Sequence, residues 1–528
     1  MKRKIIIIVT ALSMSVLSYA QGEMDAFNNS KTELTGSARG MGMAGAFGAL
    51  GGDITGTAAN PAGVAIYRSS EVVTTMNFSS NNIKTNWKGA TDSDSKFKFN
   101  FDNIAYTGCF SLDGDKWVSS LNFGFAYNRL KNFDRNYKSH GIGMMSSLSD
   151  FIAEDATSGQ YSIAELEYTP SFDPYRSSSA PWINILGYNG NLIKPVTGGY
   201  SPHLHSGESV DHELRVTERG AIETYDFTLG TNFFEKLYFG VTFSLTDINY
   251  SSKSTYSEFF GDTSDGFDLK NTLKEEGSGY QVSVGAIYRP IDALRIGFAY
   301  HSPTWYDMSR TFDAYTYAEY TFDNGIESYE FSAPKRNDYA TYDYRLQTPQ
   351  RITASIAGII GTRAVISLDY ELTDYTAMDM AESDGYSDDF DRYENSYIDE
   401  DFRKASTVKL GAEFRVTPQF SIRGGYAFVQ NPYTTNMRNG DQGVMLGYNS
   451  TIPHYTIQGD ANYITCGFGY RFTKNFYVDA AFVSRSQTDD LYYFPKYFDG
   501  GATPVVNSTP AKFENKTYKG LVTLGYKF

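Results

Sequence analysis

Hydrophobic and polar residues alternate with a period of two along many stretches of this chain. Leu237, Phe239, Val241, Phe243 and Leu245 alternate with mainly small or polar residues, and the pattern recurs over 280–289 and 407–416. In a β-strand this period places one face in an apolar medium and the other in a polar one. Because the polar set includes Arg, Lys, Glu and Gly rather than mainly Ser and Thr, it favours a wet barrel lumen over the solvent face of a soluble sheet.

The connections between such segments form a second, independent pattern. We predict fourteen strands, near 71–85, 96–111, 116–132, 212–230, 236–251, 279–289, 293–306, 340–360, 364–377, 402–416, 419–430, 461–472, 476–486 and 516–528. Short connections alternate strictly with long ones, and the long ones cover 86–95, 133–211, 252–278, 307–339, 378–401, 431–460 and 487–515. This arrangement is typical of outer-membrane barrels. The sequence therefore predicts an all-β fold, a transmembrane antiparallel β-barrel over 71–528 with long extracellular loops and both termini periplasmic.

The first twenty residues have the features of a secretory signal peptide. Residues 2–4 are basic, 5–17 are mostly apolar, and Ser18-Tyr19-Ala20 is a small-x-small cleavage site. No later stretch approaches the roughly 18 consecutive apolar residues that a membrane helix needs. The mature chain is therefore expected to be exported, either as a secreted or periplasmic protein or as a barrel in the outer membrane of a Gram-negative bacterium.

Composition excludes several other classes of protein. The net charge of −15 argues against a nucleic-acid partner, which favours a basic face. Two cysteines in 528 residues exclude a disulfide scaffold or a cysteine-based zinc module. Six histidines and the acidic stretch 379–401 show no metal-ligand spacing, so we expect no metal and no cofactor.

Residues 21–70 break the strand pattern and are rich in glycine. Gly40, Gly42 and Gly45 match the spacing of a dinucleotide motif, but neither the preceding strand nor the βαβ unit that such a fold requires is present. Glycines allow a segment to fold tightly and to pack against a wall. We therefore expect 21–70 to be an N-terminal hatch that plugs the barrel lumen.

This segment, followed by Asn60-Pro61-Ala62-Gly63, resembles the N-terminal hatch of the FadL/TodX family of outer-membrane transporters for hydrophobic compounds. Further stretches resemble the branch of that family found in Bacteroidetes-type bacteria, among them 127–130, 288–292 and 301–306. The resemblance implies a fourteen-stranded barrel and a gating role for Asn60, Pro61 and Ala62. As an ordinary turn, the same residues would need no function, because Asn before Pro favours turn initiation.

The third predicted strand contains a break in its alternation. Leu121, Phe123, Phe125 and Tyr127 hold one face, but Arg129 would then continue the apolar side. A β-bulge near Asn128 would restore the pattern. By resemblance to the family, a kink here opens the wall laterally, which makes Tyr127, Asn128 and Arg129 candidates for a lateral opening. A plain strand end at the lipid–water boundary is the alternative.

The connection 133–211 is the longest, and loops of this length are often functional. Leu148, Phe151 and Ile152 recur in it at helical spacing, and Trp182 follows in a second apolar run. The resemblance implies that these four residues capture ligand in an outer apolar groove. Alternatively, they pack as a cap over the barrel mouth.

The chain ends on the aromatic residue of an alternating strand, Phe528. This resembles the signal that the outer-membrane insertion machinery recognises.

These features predict a channel rather than an enzyme. The expected function is passive uptake of hydrophobic compounds, such as long-chain fatty acids, through a hatch-gated barrel in contact with outer-membrane lipid. The alternative is a structural or adhesive barrel with a permanently closed hatch. A barrel hydrolase is disfavoured, because His301 and Ser302 lack a supporting acid in the sequence. Fatty acid, aromatic hydrocarbon and haem all stay open as ligands.

Overall fold

The computed structural model describes residues 22–112, 117–204, 208–261, 265–323, 325–333, 340–384, 394–441, 443–444, 446–447, 449–501 and 503–528. The predicted signal peptide lies outside these residues. The helices are α1 Glu23–Ser30, α2 Ala38–Met41, α3 Ile54–Ala59, α4 Leu148–Ser158, α5 Ile163–Leu166, α6 Pro174–Ser177, α7 Trp182–Asn189, α8 Glu394–Asp401 and α9 Thr435–Asn439, with 3₁₀ helices at Pro61–Ile66 and Tyr375–Ala377.

Strands account for most of the described residues. They are β1 Glu71–Trp87, β2 Ala90–Ser111, β3 Val118–Asn132, β4 Arg135–Met144, β5 Ile193–Val196, β6 Gly199–Pro202, β7 Val210–Phe233, β8 Leu237–Phe260, β9 Gly266–Ile291, β10 Leu294–His301, β11 Trp305–Phe322, β12 Gly325–Ala333, β13 Ala340–Gln347, β14 Arg351–Ile360, β15 Ala364–Asp374, β16 Asp379–Glu382, β17 Lys404–Arg415, β18 Phe420–Val429, β19 Tyr455–Ile457, β20 Ala461–Arg471, β21 Phe476–Tyr492 and β22 Ala511–Lys527.

The strands close into an antiparallel barrel. The first strand pairs with the last, from Glu71↔Lys527 to Asn86↔Lys512. Two barrel strands are interrupted at prolines, since β10 continues as β11 after Pro303 and β13 continues as β14 after Pro349. Proline has no N–H for the ladder, which accounts for an interruption at these points. The prediction of a fourteen-stranded barrel is confirmed.

The outer face of the barrel is apolar and the inner face is filled. On β8, Phe239, Val241 and Phe243 are 43–50% exposed, whereas Thr242 and Ser244, which alternate with this set, are buried. The alternation read from the sequence therefore separates an outer lipid-like environment from the lumen. Among the described residues, no helix combines the length and apolar character needed to cross a membrane.

Several connections predicted to be long loops are extensions of the strands. β1 and β2 are joined by a turn of only two residues, Lys88 and Gly89, both with positive φ, so the long connection predicted at 86–95 is wrong. β8 and β9 likewise pair out to Phe259↔Gly266. In the outer part of β9 the pattern is reversed: Phe267, Leu269 and Leu273 are buried on the inner face, while the outer face is polar, so the apolar-outside alternation does not extend into it.

A cap follows β4 and lies over the long-loop end of the barrel. It contains α4 to α7 and the hairpin of β5 and β6. Leu148, Ile152, Ile185, Leu186 and Leu192 are fully buried in it, within one apolar cluster that continues into the outer parts of the barrel strands.

Candidate functional site

The segment 22–70 fills the lumen and packs against the wall, as expected for a hatch. Asn60 ends α3 and begins the 3₁₀ helix Pro61–Ile66, and its side-chain oxygen accepts a hydrogen bond from the Ala62 N–H at 3.0 Å. Its Nδ2 donates to the Gly48 carbonyl of the hatch at 2.8 Å and to the wall carbonyls of Ala286 and Phe298 at 3.2 and 3.3 Å. Asn60 is 1% exposed, and Pro61 and Ala62 are buried with it. The motif therefore joins the hatch to β9 and β10.

Glycines on the wall make this close approach possible. A Cβ at Gly240 would overlap the backbone carbonyl of Pro61, and a Cβ at Gly285 would overlap Asn60 Oδ1. Gly297 faces the Gly48 carbonyl in the same way. The sequence contained a signal for these positions, because a glycine inside a strand often marks the close approach of another backbone.

A charged network holds the middle of the hatch. Arg39 makes two hydrogen bonds to Glu413, of 3.0 and 3.2 Å. Glu413 also accepts from Arg423 at 2.7 Å, and Arg423 donates to Asp479 at 2.6 Å. The lumen-facing charges at 413, 423 and 479 thus pair with each other and hold the hatch. Asp369 adds a hydrogen bond from the Gly48 N–H at 2.8 Å.

The first hatch helix, α1, extends toward the long-loop end. Phe27 on this helix is 1% exposed and lies 5.4–5.5 Å, between ring centroids, from Tyr375, Phe402 and Tyr433. Asp25 on the same helix pairs with Arg310 at 2.8 Å. The sequence analysis did not identify Phe27, because no local pattern indicates that three distant aromatic residues surround it.

A cavity of about 190 Å³ lies between α1 and the lower part of the hatch. Its wall is mixed, with apolar residues such as Leu130, Ile222 and Tyr306 beside charged ones. Glu371 accepts a hydrogen bond from Lys409 at 3.1 Å within it. The cavity can therefore accommodate a molecule that has both an apolar and a polar part.

Lys31 and Glu33 connect α1 to the rest of the hatch and line this cavity. Burial disfavours the carboxylate of Glu33, but the ammonium of Lys519, 3.0 Å away, and the nearby guanidinium of Arg485 together outweigh that effect and lower the pKa of Glu33 to about 2. Burial and repulsion by Arg485 lower the pKa of Lys31 to about 8. The Lys31 ammonium donates to Gln458 on the outer loop. Glu33 is thus held to the wall by an ion pair, and Lys31 is held to the outer loop by a hydrogen bond.

The wall has an opening between β2 and β3, on the outer side of the Asn103↔Asn128 pair, which we call the window. Among the described residues, the ladder that joins these strands ends at the Asn103↔Asn128 pair, while β3 continues beside β7. The register of β3 with β7 shifts between Arg129 and Lys131, two residues beyond the predicted bulge. A second bulge lies between Thr75 and Met76 in the register of β1, and it leaves Asp102 of β2 without a partner in the β1 ladder. The wall closes again farther out, where Asp92 pairs with Lys138 at 2.9 Å.

The three residues predicted for a lateral opening lie at this window. Asn128 donates to Asp226 at 2.7 Å, and the Tyr127 hydroxyl donates to Glu223 at 2.6 Å. Arg129 bonds to Glu223 on β7 and also to Asn100 on β2, so its side chain crosses from one side of the window to the other. Behind them, a polar cavity reaches Glu33 of the hatch.

The residues predicted to capture ligand are buried in the cap. Leu148, Phe151, Ile152 and Trp182 are 0%, 8%, 0% and 7% exposed. The expectation that they line an accessible outer groove is therefore corrected. They form the apolar core of the cap, because helices as short as α4 and α7 are stabilised mainly by burying one face.

The terminal residue, Phe528, is 59% exposed and its N–H donates to the Ser70 carbonyl at 3.0 Å. Part of the acidic stretch, 385–393, lies outside the described residues. Within the described part of the chain, no group of three or more His, Cys, Asp or Glu side chains is arranged to hold a metal ion.

Residues 239–491 match the model of a family described as outer membrane protein transport protein (OMPP1/FadL/TodX). No curated protein matches the chain significantly in sequence. Among solved structures, a FadL homologue of Pseudomonas aeruginosa is 12% identical with a TM-score of 0.53, and the match covers 94% of this chain and 99% of that one. At this identity the likeness concerns the fold alone.

The toluene transporter TodX of Pseudomonas putida is 11% identical over 89% of this chain and 93% of its own, with a TM-score of 0.46.

Proposed function

Since residues 239–491 match the model of the outer membrane protein transport family (OMPP1/FadL/TodX), we propose that the chain is a channel for passive uptake of hydrophobic compounds, with long-chain fatty acids as the model substrate. The observation that supports this most strongly is a closed barrel with a plugged lumen, a cavity between the upper and lower parts of the plug and a window in the wall. Such a path can lead an apolar molecule sideways into the membrane without exposing it to water. The chemistry needs neither hydrolysis nor a cofactor.

The proposed path begins beneath the cap. A small cavity between α1 and residues 452–458, lined by Met24, Phe27, Tyr250 and Ile452, leads toward the main cavity. Lys31 lines the main cavity and its partner Gln458 lines the small one, so this contact lies between the two. We propose that ligand enters when α1 moves away from this contact.

The proposed exit is the window at Tyr127, Asn128 and Arg129. Phe97, Phe99 and Phe101 flank it on the outer face of β2 and are 44–65% exposed, which is the surface that a lipid-facing wall requires. Asn60, Pro61 and Ala62 keep the lower hatch on the wall in this scheme. Movement of the hatch at that motif would provide a second, periplasmic exit.

Outer-membrane localisation follows from the family. The proposed orientation places the short turns and both termini in the periplasm, with the cap outside the cell. In this orientation Phe528 ends the last strand at the periplasmic rim, where the insertion machinery would recognise it.

The alternative is a structural or adhesive barrel whose hatch stays closed. The dense wall contacts of Asn60 and Arg39 favour this alternative, because they hold the hatch at two separate places.

Native mass spectrometry of the purified full-length protein, with fatty acids and haem as competitors, distinguishes the two. We expect a co-purified apolar molecule that one competitor displaces stoichiometrically. An empty lumen with no binding of either competitor would instead support the closed barrel.

A further inference from the structure

The inner rim of the window is unusually charged for a path taken by apolar molecules. The cavity behind it is lined by five basic and three acidic side chains, an excess of two positive charges. Lys519 is paired with Glu33 at 3.0 Å. Within the described part of the chain, Lys131 donates to the carbonyl and side-chain oxygens of Asn28, which are neutral, and lies over the Phe133 ring. Buried positive charge without a full set of anionic partners favours the binding of an anion.

One ion pair crosses the window. Lys98 Nζ on β2 lies 2.9 Å from Asp134 Oδ2, in the link between β3 and β4. No backbone ladder joins the two strands at this level in the described part of the chain. The Asp134 side chain is 4% exposed and its other oxygen lies 3.7 Å from Arg219 Nε. A carboxylate is therefore already held in the window, between two cations.

The two sides of the window differ in character. Lys98 alternates with Phe97 and Phe99, so the ammonium faces the lumen while the phenyl rings face outward. A molecule with an apolar chain and an anionic head group fits this arrangement, with the chain against the rings and the head group at the ammonium.

We propose that Lys98 and Asp134 are specificity-determining residues of the window, and that they favour molecules with an anionic head group over uncharged hydrocarbons of equal length. As the ligand passes, the Lys98 ammonium releases Asp134 and donates to the anionic head group instead. An uncharged molecule would separate the same ion pair without replacing it, and a charge left unpaired in a buried site is costly. The inference rests on the proposed function, since it specifies the substrate class of the same exit.

The test compares uptake of dodecanoate and dodecan-1-ol by a Gram-negative host that lacks its own fatty-acid channel and expresses the full-length chain. We expect Lys98→Met to lower dodecanoate uptake by about tenfold, the effect of losing one charge-assisted hydrogen bond, and to leave dodecan-1-ol uptake unchanged or raised. Asp134→Asn removes the competing carboxylate, so dodecanoate uptake should rise several-fold. Lys96→Met is the matched control, because Lys96 lines the same cavity on the same strand but forms no ion pair among the described residues.

Parallel changes for the acid and the alcohol in both variants would overturn the inference and leave the channel function intact. If the wild-type chain takes up neither dodecanoate nor dodecan-1-ol, the proposed function is overturned, and this inference with it. Asp134→Asn keeps the test decisive if Lys98→Met does not assemble, because the two substitutions are expected to shift the ratio of acid to alcohol uptake in opposite directions.

Discussion

Asn60 of the hatch and Gly285 of the barrel wall meet so closely that no side chain fits between them. The Asn60 Oδ1 occupies the space that a Cβ at Gly285 would take, and the Asn60 amide bonds to the carbonyl of the next wall residue, Ala286, at 3.2 Å. At this point the hatch is thus docked on the wall through backbone and amide groups. A small change on the wall should therefore disturb it.

Substituting wall glycines should release the hatch without breaking the barrel. Gly240→Ala places a Cβ against the Pro61 backbone, which cannot move like a flexible side chain, and overpacking of this kind costs about 1–3 kcal/mol. We expect higher single-channel conductance for small ions in planar bilayers. Gly358→Ala is the control, since no atom lies within 4 Å of its added Cβ. Equal conductance in wild type and Gly240→Ala would mean that the docking does not keep the lumen shut.

The barrel could be predicted from sequence because its signal is local. Every second residue of β8 faces lipid, so the pattern is visible within ten residues. The end of the β2–β3 ladder was partly visible for the same reason, as a break in alternation at Arg129. The outer extensions of β8 and β9 were not visible, because their apolar residues, such as Leu269 and Leu273, are buried on the inner face rather than exposed on the outer one.

The contacts of the hatch could not be predicted in the same way. Phe27 and its aromatic neighbours are separated by about 350 to 400 residues, and no spacing rule connects them. Leu148, Phe151 and Ile152 were identified correctly as apolar residues at helical spacing, and Trp182 as part of a second apolar run. Their burial in the cap core depends on the tertiary packing, and amphipathic periodicity does not distinguish a covered face from an accessible one.

Acid should loosen the hatch through Glu33. Its pKa is about 2 when docked beside Lys519 and 4.5 in a solvated segment. Above pH 4.5 the carboxylate is charged in both states, so the docking energy is fully present. As the pH falls from about 4.5 toward about 2, the undocked segment binds a proton that the docked one does not, and docking weakens.

Single-channel conductance measured from pH 7 to pH 3 checks this expectation. Wild-type conductance should rise below pH 4.5, and Glu33→Gln should be conductive throughout with little dependence on pH in this range. Glu400→Gln serves as the control, because Glu400 lies exposed on α8 at the outer end. A wild-type profile that is flat down to pH 3 would show that the Glu33–Lys519 pair does not hold the hatch.

The cap should lose stability when its core is truncated. Ile152 is fully buried, so Ile152→Ala should cost about 2–5 kcal/mol, whereas Ile163→Ala at a 44% exposed position of the same cap should cost less than about 0.5 kcal/mol. Limited proteolysis of folded protein in detergent reports cleavage within the cap directly. Faster cleavage confined to Ile152→Ala supports the cap core, whereas equal cleavage rates for the two variants would argue that Ile152 is not part of a stable core.

Closing the window should stop uptake. A cleavable bifunctional thiol reagent can link Lys98→Cys to Asp134→Cys in a background with Cys109→Ser and Cys466→Ser, which removes the two native thiols. Because no backbone ladder joins the strands at this level, the link fixes an opening that is otherwise free to widen. Fatty-acid uptake should fall to background in the linked protein. It should return to the level of the unlinked double-cysteine variant when the link is cleaved.

The matched control links Asp490→Cys to Lys512→Cys, which are already partners in the ladder of β21 and β22. A link there adds no constraint across an opening, so uptake should not change. Continued uptake through the linked window would contradict a lateral exit between β2 and β3 and would leave the hatch at Asn60 as the exit to test next.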